Sequence, residues 1–109
     1  MAVIAKFIYE VKPGGLAEFM AKLAQAADPQ FNSLVMPKSF RLSRSTVPGP
    51  DTGHIVMLIE YDSMAAYGAR TDFEAKHPEG KKLFAASPDA PERLVSVELL
   101  TEIDPAQAL

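Results

Sequence analysis

The chain has no cysteine and no tryptophan among its 109 residues, and only two histidines, His54 and His77. Without a thiol there is no disulfide framework, no thiolate nucleophile and no thiolate metal site. The same absence accords with a reducing compartment, and a cytoplasmic location is the expectation. No apolar run approaches the roughly 20 residues that cross a bilayer, and the N-terminus lacks the basic region, apolar core and small-residue cleavage site of a secretory leader. No membrane partner is expected. Charge of one sign is not concentrated either: fourteen acidic against eleven basic residues give a formal charge of −3, and the basic residues are scattered rather than aligned. Nucleic acid is therefore not an expected partner. Phosphate-loop, dinucleotide and nucleophile-elbow patterns are missing, since Pro13-Gly14-Gly15 lacks the required downstream spacing. Two histidines without carboxylates at ligand spacing make no metal site.

What is present is ordinary globular composition, with 48% hydrophobic and 23% charged residues, enough for one domain over residues 1–104 and a tail over 105–109. A two-fold order runs through it. Ala2 to Val11 is β-branched and aromatic with charges at Lys6 and Glu10 on one face, the pattern of a strand buried mainly on the other. Pro13 ends it, and Gly14-Gly15 allows a tight turn into a helix whose apolar positions Leu16, Phe19, Met20, Leu23 and Ala27 recur at helical spacing. Asp28-Pro29 stops that helix, and a second strand is predicted from Ser39 to Val47. The prolines and glycines of Val47 to Gly53 read as a hairpin loop. Ile55-Val56-Met57-Leu58-Ile59 then forms a third strand, apolar on both faces. Asp62 or Ser63 can cap a second helix, which Pro78 breaks in two near His77. After the loop Ser87 to Pro91, a final strand is predicted from Glu92 to Ile103, with Val95, Val97 and Leu99 on one face. The order is βαββαβ: an α+β, ferredoxin-like fold with a four-stranded antiparallel sheet and helices on one face.

Two segments carry a family resemblance: the first strand flowing into Val11-Lys12-Pro13-Gly14-Gly15 with Glu18-Phe19 one turn on, and Glu60-Tyr61-Asp62-Ser63-Met64-Ala65-Ala66-Tyr67 between the third strand and second helix. On these the chain resembles the dimeric α/β-barrel superfamily, which includes antibiotic-biosynthesis monooxygenases, heme-degrading monooxygenases and NIPSNAP-like proteins. The resemblance implies a homodimer of two four-stranded sheets, with an apolar pocket between sheet and helices in each subunit. Heme-degrading members resemble this chain in a histidine late in the second helical region, where His77 sits. They also use an asparagine near the first strand and a helical tryptophan, both missing here. The cofactor-free oxygenases of the superfamily oxidise electron-rich phenolic substrates, and no cofactor is expected. One fold hosts many functions, so this reading rests on analogy.

The candidate residues each have a plain alternative. His77 precedes Pro78, which pushes its backbone out of helical geometry, toward a pocket mouth or merely the surface; His54 borders the Gly53 turn as a strand end. Arg41 and Arg44 lie on opposite faces of the second strand. Arg44 shares its face with Phe40 and Leu42 and needs a partner such as Glu60 or Glu98, or an anionic substrate. Tyr9, Tyr61 and Tyr67 suit both core packing and contact with a phenolic or carbonyl ligand. Met64, three positions before Tyr67, shares its helix face. The functional expectation is a homodimer binding a small, mostly apolar molecule. As an enzyme it would be a cofactor-independent monooxygenase or isomerase, Tyr67 and His77 orienting substrate and moving a proton and Arg41 or Arg44 stabilising developing negative charge. The competing expectation is a non-catalytic binding or stress-related module.

Overall fold

The computed structural model describes residues 2–50 and 52–108. β1 (Val3–Val11), α1 (Leu16–Ala26), β2 (Ser39–Arg44), β3 (Ile55–Tyr61), α2 (Met64–Lys76), α3 (Pro78–Leu83) and β4 (Glu92–Thr101) follow the predicted order. All pairings are antiparallel and the sheet order is β2-β3-β1-β4, the ferredoxin-like arrangement. A 3-10 turn over Pro29–Phe31 follows α1, with the Asp28 side chain accepting from Gln30 N. The tail, expected without structure or as an arm, forms a single helical turn, α4 (Pro105–Ala108); Leu109 lies outside the described residues.

The core follows from the alternation of β1 and β3. Tyr9, Ile55 and Met57 project to the helix side and pack on Phe19 of α1, with Phe7, Val11, Met20, Leu23 and Ile59 around them. Helical spacing puts Phe19 and Leu23 one turn apart on the buried stripe. Ser63 is the residue that caps α2, accepting from Ala66 N at 3.1 Å. The predicted break is real: His77 leaves helical geometry at φ −83° and ψ 115°, and α3 restarts at Pro78. Pro at a first helical position lacks only an N–H that would have had no partner.

Two strand expectations change. β2 ends at Arg44 rather than Val47, because Thr52 closes the hairpin: its hydroxyl accepts from Gly49 N at 2.6 Å and lies 3.0 Å from Val47 O. In β4, Ile8 pairs with Ser96 but Tyr9 pairs with Leu94, so Val95 is the extra residue of a bulge. Val97 and Leu99, opposite Phe7 and Ala5, face the helices, and past the bulge that face belongs to Leu94 and Glu92. Val95 therefore does not belong to one regular row with Val97 and Leu99.

The opposite sheet face carries Ile4, Ile8, Val56 and Leu58 across the two central strands, flanked by Lys6, Glu10, Glu60 and Glu98. The helices meet the sheet mainly through Tyr9, Met57 and Ile59 on the other side, while on this face Ile8 is buried and Ile4, Val56 and Leu58 are part-exposed. Among the described residues no helix is long and apolar enough to cross a membrane.

Candidate functional site

A tight backbone junction organises one end of the molecule. Lys12 N donates to Pro91 O at 2.9 Å, joining the end of β1 to the start of β4. Gly14 turns the chain at φ +76°, a left-handed conformation that favours glycine. Gly15 is required for a different reason. A Cβ there would meet Lys12 O at 3.1 Å, Pro91 O at 3.2 Å and Pro91 Cβ at 3.3 Å. The segment from Phe84 to Ala90 is consequently held as a strap beside β4, and Lys12 Nζ also donates to Pro88 O.

Under this strap lies a groove of about 710 Å³, its walls formed by Phe84 to Pro88, Ala90 and Leu94 and its floor by Tyr9 and Glu92. Tyr9 is positioned by ring contacts with Phe19, 4.9 Å between centroids, and Phe7, 6.4 Å. Glu92 faces the helices because it pairs with Val11, and both its carboxylate oxygens accept from Lys22 Nζ on α1, at 2.7 and 2.9 Å. Lys22 also lies 5.4 Å from the centre of the Phe84 ring, so its charge sits between a carboxylate and an aromatic face. Burial first, then the negative charges of Glu92 and Glu74, pushes the Tyr9 phenol up to about 12. At neutral pH Tyr9 is thus a hydrogen-bond donor. Among the described residues its hydroxyl has no hydrogen-bond partner, and the residue lines the groove.

A second cluster lies under α2. Tyr61 and Tyr67 meet edge to face at 5.4 Å. Burial, then Glu74 and Tyr67, pushes the Tyr61 phenol up to about 12 against the opposing pull of Arg70. Arg70 is a buried charge: it donates to Phe31 O at 2.7 Å, Ser33 Oγ at 3.1 Å and Glu74 Oε1 at 2.8 Å, and stacks 4.9 Å over Phe73. These bonds tie α2 to the segment leading into β2. A smaller cavity of about 370 Å³ opens between the end of α1, the 3-10 turn and α3, with Asp28, Glu79 and Lys82 on its rim.

Of the residues singled out in the sequence, Tyr9 forms the groove floor, and Tyr61 and Tyr67 come together. Met64 starts α2 half-exposed. His77 does not join Tyr67: ten residues of a 1.5 Å rise put them about 15 Å apart along α2. Its Nδ1 accepts from Gly80 N at 3.3 Å, capping α3, and its ring packs between Phe31 and Phe73 at 4.8 and 5.7 Å. His54 is less exposed than a strand end suggests, at 22%, with Nε2 3.8 Å from Glu10. Arg41 and Arg44 are both exposed on the edge strand β2, three strand spacings or about 14 Å from β4. The expected pairing of Arg44 with Glu60 or Glu98 does not form. Register places Arg44 opposite Ile55 on the helix side, whereas Glu60 lies on the other face and pairs with Lys38 at 3.6 Å; Glu98 is on the far edge.

Sequence reasoning missed Lys22, Phe84, Glu92 and Arg70. For Lys22 a signal existed, since it follows Phe19 by three positions and so borders the buried stripe. Arg70 stands three residues after Tyr67 and four before Glu74. Nothing local marks Phe84 or Glu92, whose roles depend on which strand lies beside β1.

No family model matches the chain, and no curated protein matches it. Solved structures do. Rv0793 from Mycobacterium tuberculosis is similar at 19% identity over 97% of this chain and 99% of that one, with a TM-score of 0.64. A candidate antibiotic biosynthesis monooxygenase from Bordetella bronchiseptica shares 20% identity over 94% and 97%, with a TM-score of 0.63. An uncharacterised NIPSNAP-like domain protein from Burkholderia xenovorans shares 18% identity over 95% and 87%, with a TM-score of 0.61. The chain therefore has the ferredoxin-like α+β fold of antibiotic-biosynthesis-monooxygenase and NIPSNAP-like structures. The resemblance carried by its first turn and by Glu60 to Tyr67 holds at the level of the fold.

Proposed function

We propose that this is a cytoplasmic homodimer that binds a small, mostly apolar molecule in the groove beneath the Phe84–Ala90 strap, and that it acts there as a cofactor-independent monooxygenase or isomerase on an apolar or phenolic substrate. The observation that carries the reading is the lining of that groove, where the protonated Tyr9 phenol and the Lys22-bound Glu92 carboxylate share a largely apolar cleft. Tyr9 would donate to a substrate oxygen and support negative charge developing on it. Glu92, on the same floor, would receive a proton from the substrate, with Lys22 fixing its carboxylate. The Tyr61–Tyr67 pair and Arg70 lie under α2 toward the other end of the sheet and do not line the groove. The part-exposed Ile4, Val56 and Leu58 on the sheet face away from the helices supply the reason for a dimer.

Native mass spectrometry of freshly purified protein tests both halves of the proposal. A dimer carrying a reproducible extra mass that is lost in the Tyr9→Phe, Glu92→Gln double variant is the expected result. A monomer would contradict the assembly, and a retained mass indifferent to those substitutions would contradict the site.

A further inference from the structure

Of the described charged side chains that line the groove, one cation has no carboxylate partner. Four charged side chains contribute to its walls: Glu10, Lys12, Glu92 and Arg93. Glu92 is bound through both oxygens by Lys22 from α1. Glu10 accepts from Arg93 at 2.9 Å, with His54 3.8 Å away on the same carboxylate. That leaves Lys12. Among the described residues its ammonium meets no carboxylate at ion-pair distance; its partner is the neutral carbonyl of Pro88. Asp89, the only acidic residue of the strap, is not part of the groove wall. The mouth therefore presents one cation on a predominantly apolar cleft, with two neutral donors, the Tyr9 phenol and the Ser87 hydroxyl, facing the same space.

We propose that the groove selects apolar monoanions: a ring system or chain seated between Phe84 and Leu94, with a carboxylate or comparable anionic head at Lys12. This deepens the proposed function and rests on the groove being the ligand site. Two consequences follow physically. Both carboxylates of the wall already hold cations, so an incoming anion meets no uncompensated negative charge. The strap is also coupled to ligand binding, because the ammonium that meets the ligand is the one bonded to Pro88 O.

A matched pair of fluorescent probes separates the two layers of the inference. 8-Anilinonaphthalene-1-sulfonate is anionic, and N-phenyl-1-naphthylamine has the same rings without the sulfonate. In the full chain, both are expected to bind, and Ala86→Trp, which fills the groove, is expected to abolish both while leaving circular dichroism unchanged. Lys12→Met is expected to weaken the anionic probe about three- to fivefold more than the neutral one, the effect of one solvent-accessible charge beyond any loosening of the strap. Lys12→Arg is expected to restore the anionic probe, and added salt to narrow the difference. If Ala86→Trp folds and both probes still bind, the groove is not the site and the underlying reading fails. If Ala86→Trp does not fold, Leu94→Gln gives the same readout from the opposite wall. If the neutral probe is lost in the filled groove but Lys12→Met alters neither probe, or both equally, the site stands and the preference for anions is overturned.

Discussion

At the scale of single residues, the site is defined by partners from different elements. Lys22 comes from α1, Glu92 from β4 and Phe84 from the strap, and no two are close in sequence. The Glu92 side chain is only 7% exposed, so removing its cation leaves a buried charge unpaired. Lys22→Met is expected to cost about 3 kcal/mol in urea denaturation, and the double variant Lys22→Met, Glu92→Leu to regain most of it. An additive double variant would contradict the pairing. The phenols give a pH signature. Tyr9 and Tyr61 are both held near 12 against an unfolded value of 10.0. A raised phenol is protonated in the folded state where the unfolded chain has already lost its proton, so this stabilisation is complete below pH 10 and drains away as pH rises toward 12. Thermal melting is expected to fall steeply between pH 10 and 12, and to fall less in Tyr9→Phe. A pH dependence identical in that variant would place the Tyr9 phenol in contact with bulk water.

Elements were legible where local chemistry decides them. The first strand, the helix stripe of Phe19 and Leu23, the Ser63 cap and the break at Pro78 all appear where the sequence puts them, because each depends on residues within a turn of one another. The bulge at Val95 was not legible, since it exists only relative to β1, and with it went the placement of Leu94 and Glu92 in the groove. For the same reason the sequence could bring together only residues of one element: Tyr9 lines the groove with residues distant in sequence, whereas His77, singled out for its chemistry, caps α3. Two glycines test this separation of local from tertiary control. Gly68 lies within α2 with nothing near a would-be Cβ, so Gly68→Ala is expected to stabilise by about 0.5–1 kcal/mol. Gly15→Ala would push against Lys12 O and Pro91 O and is expected to destabilise by about 1–3 kcal/mol, loosening the strap. Chemical denaturation of the pair checks both; equal effects of the same sign would contradict the junction as described.

The whole molecule is a sheet with one helix layer, only 18 Å thick, and its radius of gyration is 15.2 Å. A compact domain of this length has a radius of gyration of about 13 Å. Apolar surface stays exposed at both edges, with Phe40, Leu42, Val97 and Leu99 on the helix side and Leu100 on the open face beside the part-exposed Ile4 and Leu58. A second copy stacked on the open sheet face would restore the missing layer. Leu58 stands at the centre of that face, opposite Lys6 and Arg41. Leu58→Lys would add a third cation beside Lys6 and Arg41 inside the proposed interface at a cost of about 3 kcal/mol or more, roughly a hundredfold in Kd. Light scattering is expected to show a dimer for the parent chain and a monomer for the variant at micromolar concentration, and a variant dimer would move the interface elsewhere.

The central claim is the location of the ligand site, and backbone amide NMR during titration with N-phenyl-1-naphthylamine tests it most directly. Shifts concentrated at Phe84 to Ala90, Tyr9 and Leu94 are the expected result. Shifts concentrated instead around Tyr61, Met64 and Tyr67, with the strap unmoved, would contradict the account and return the site to the far end of the sheet.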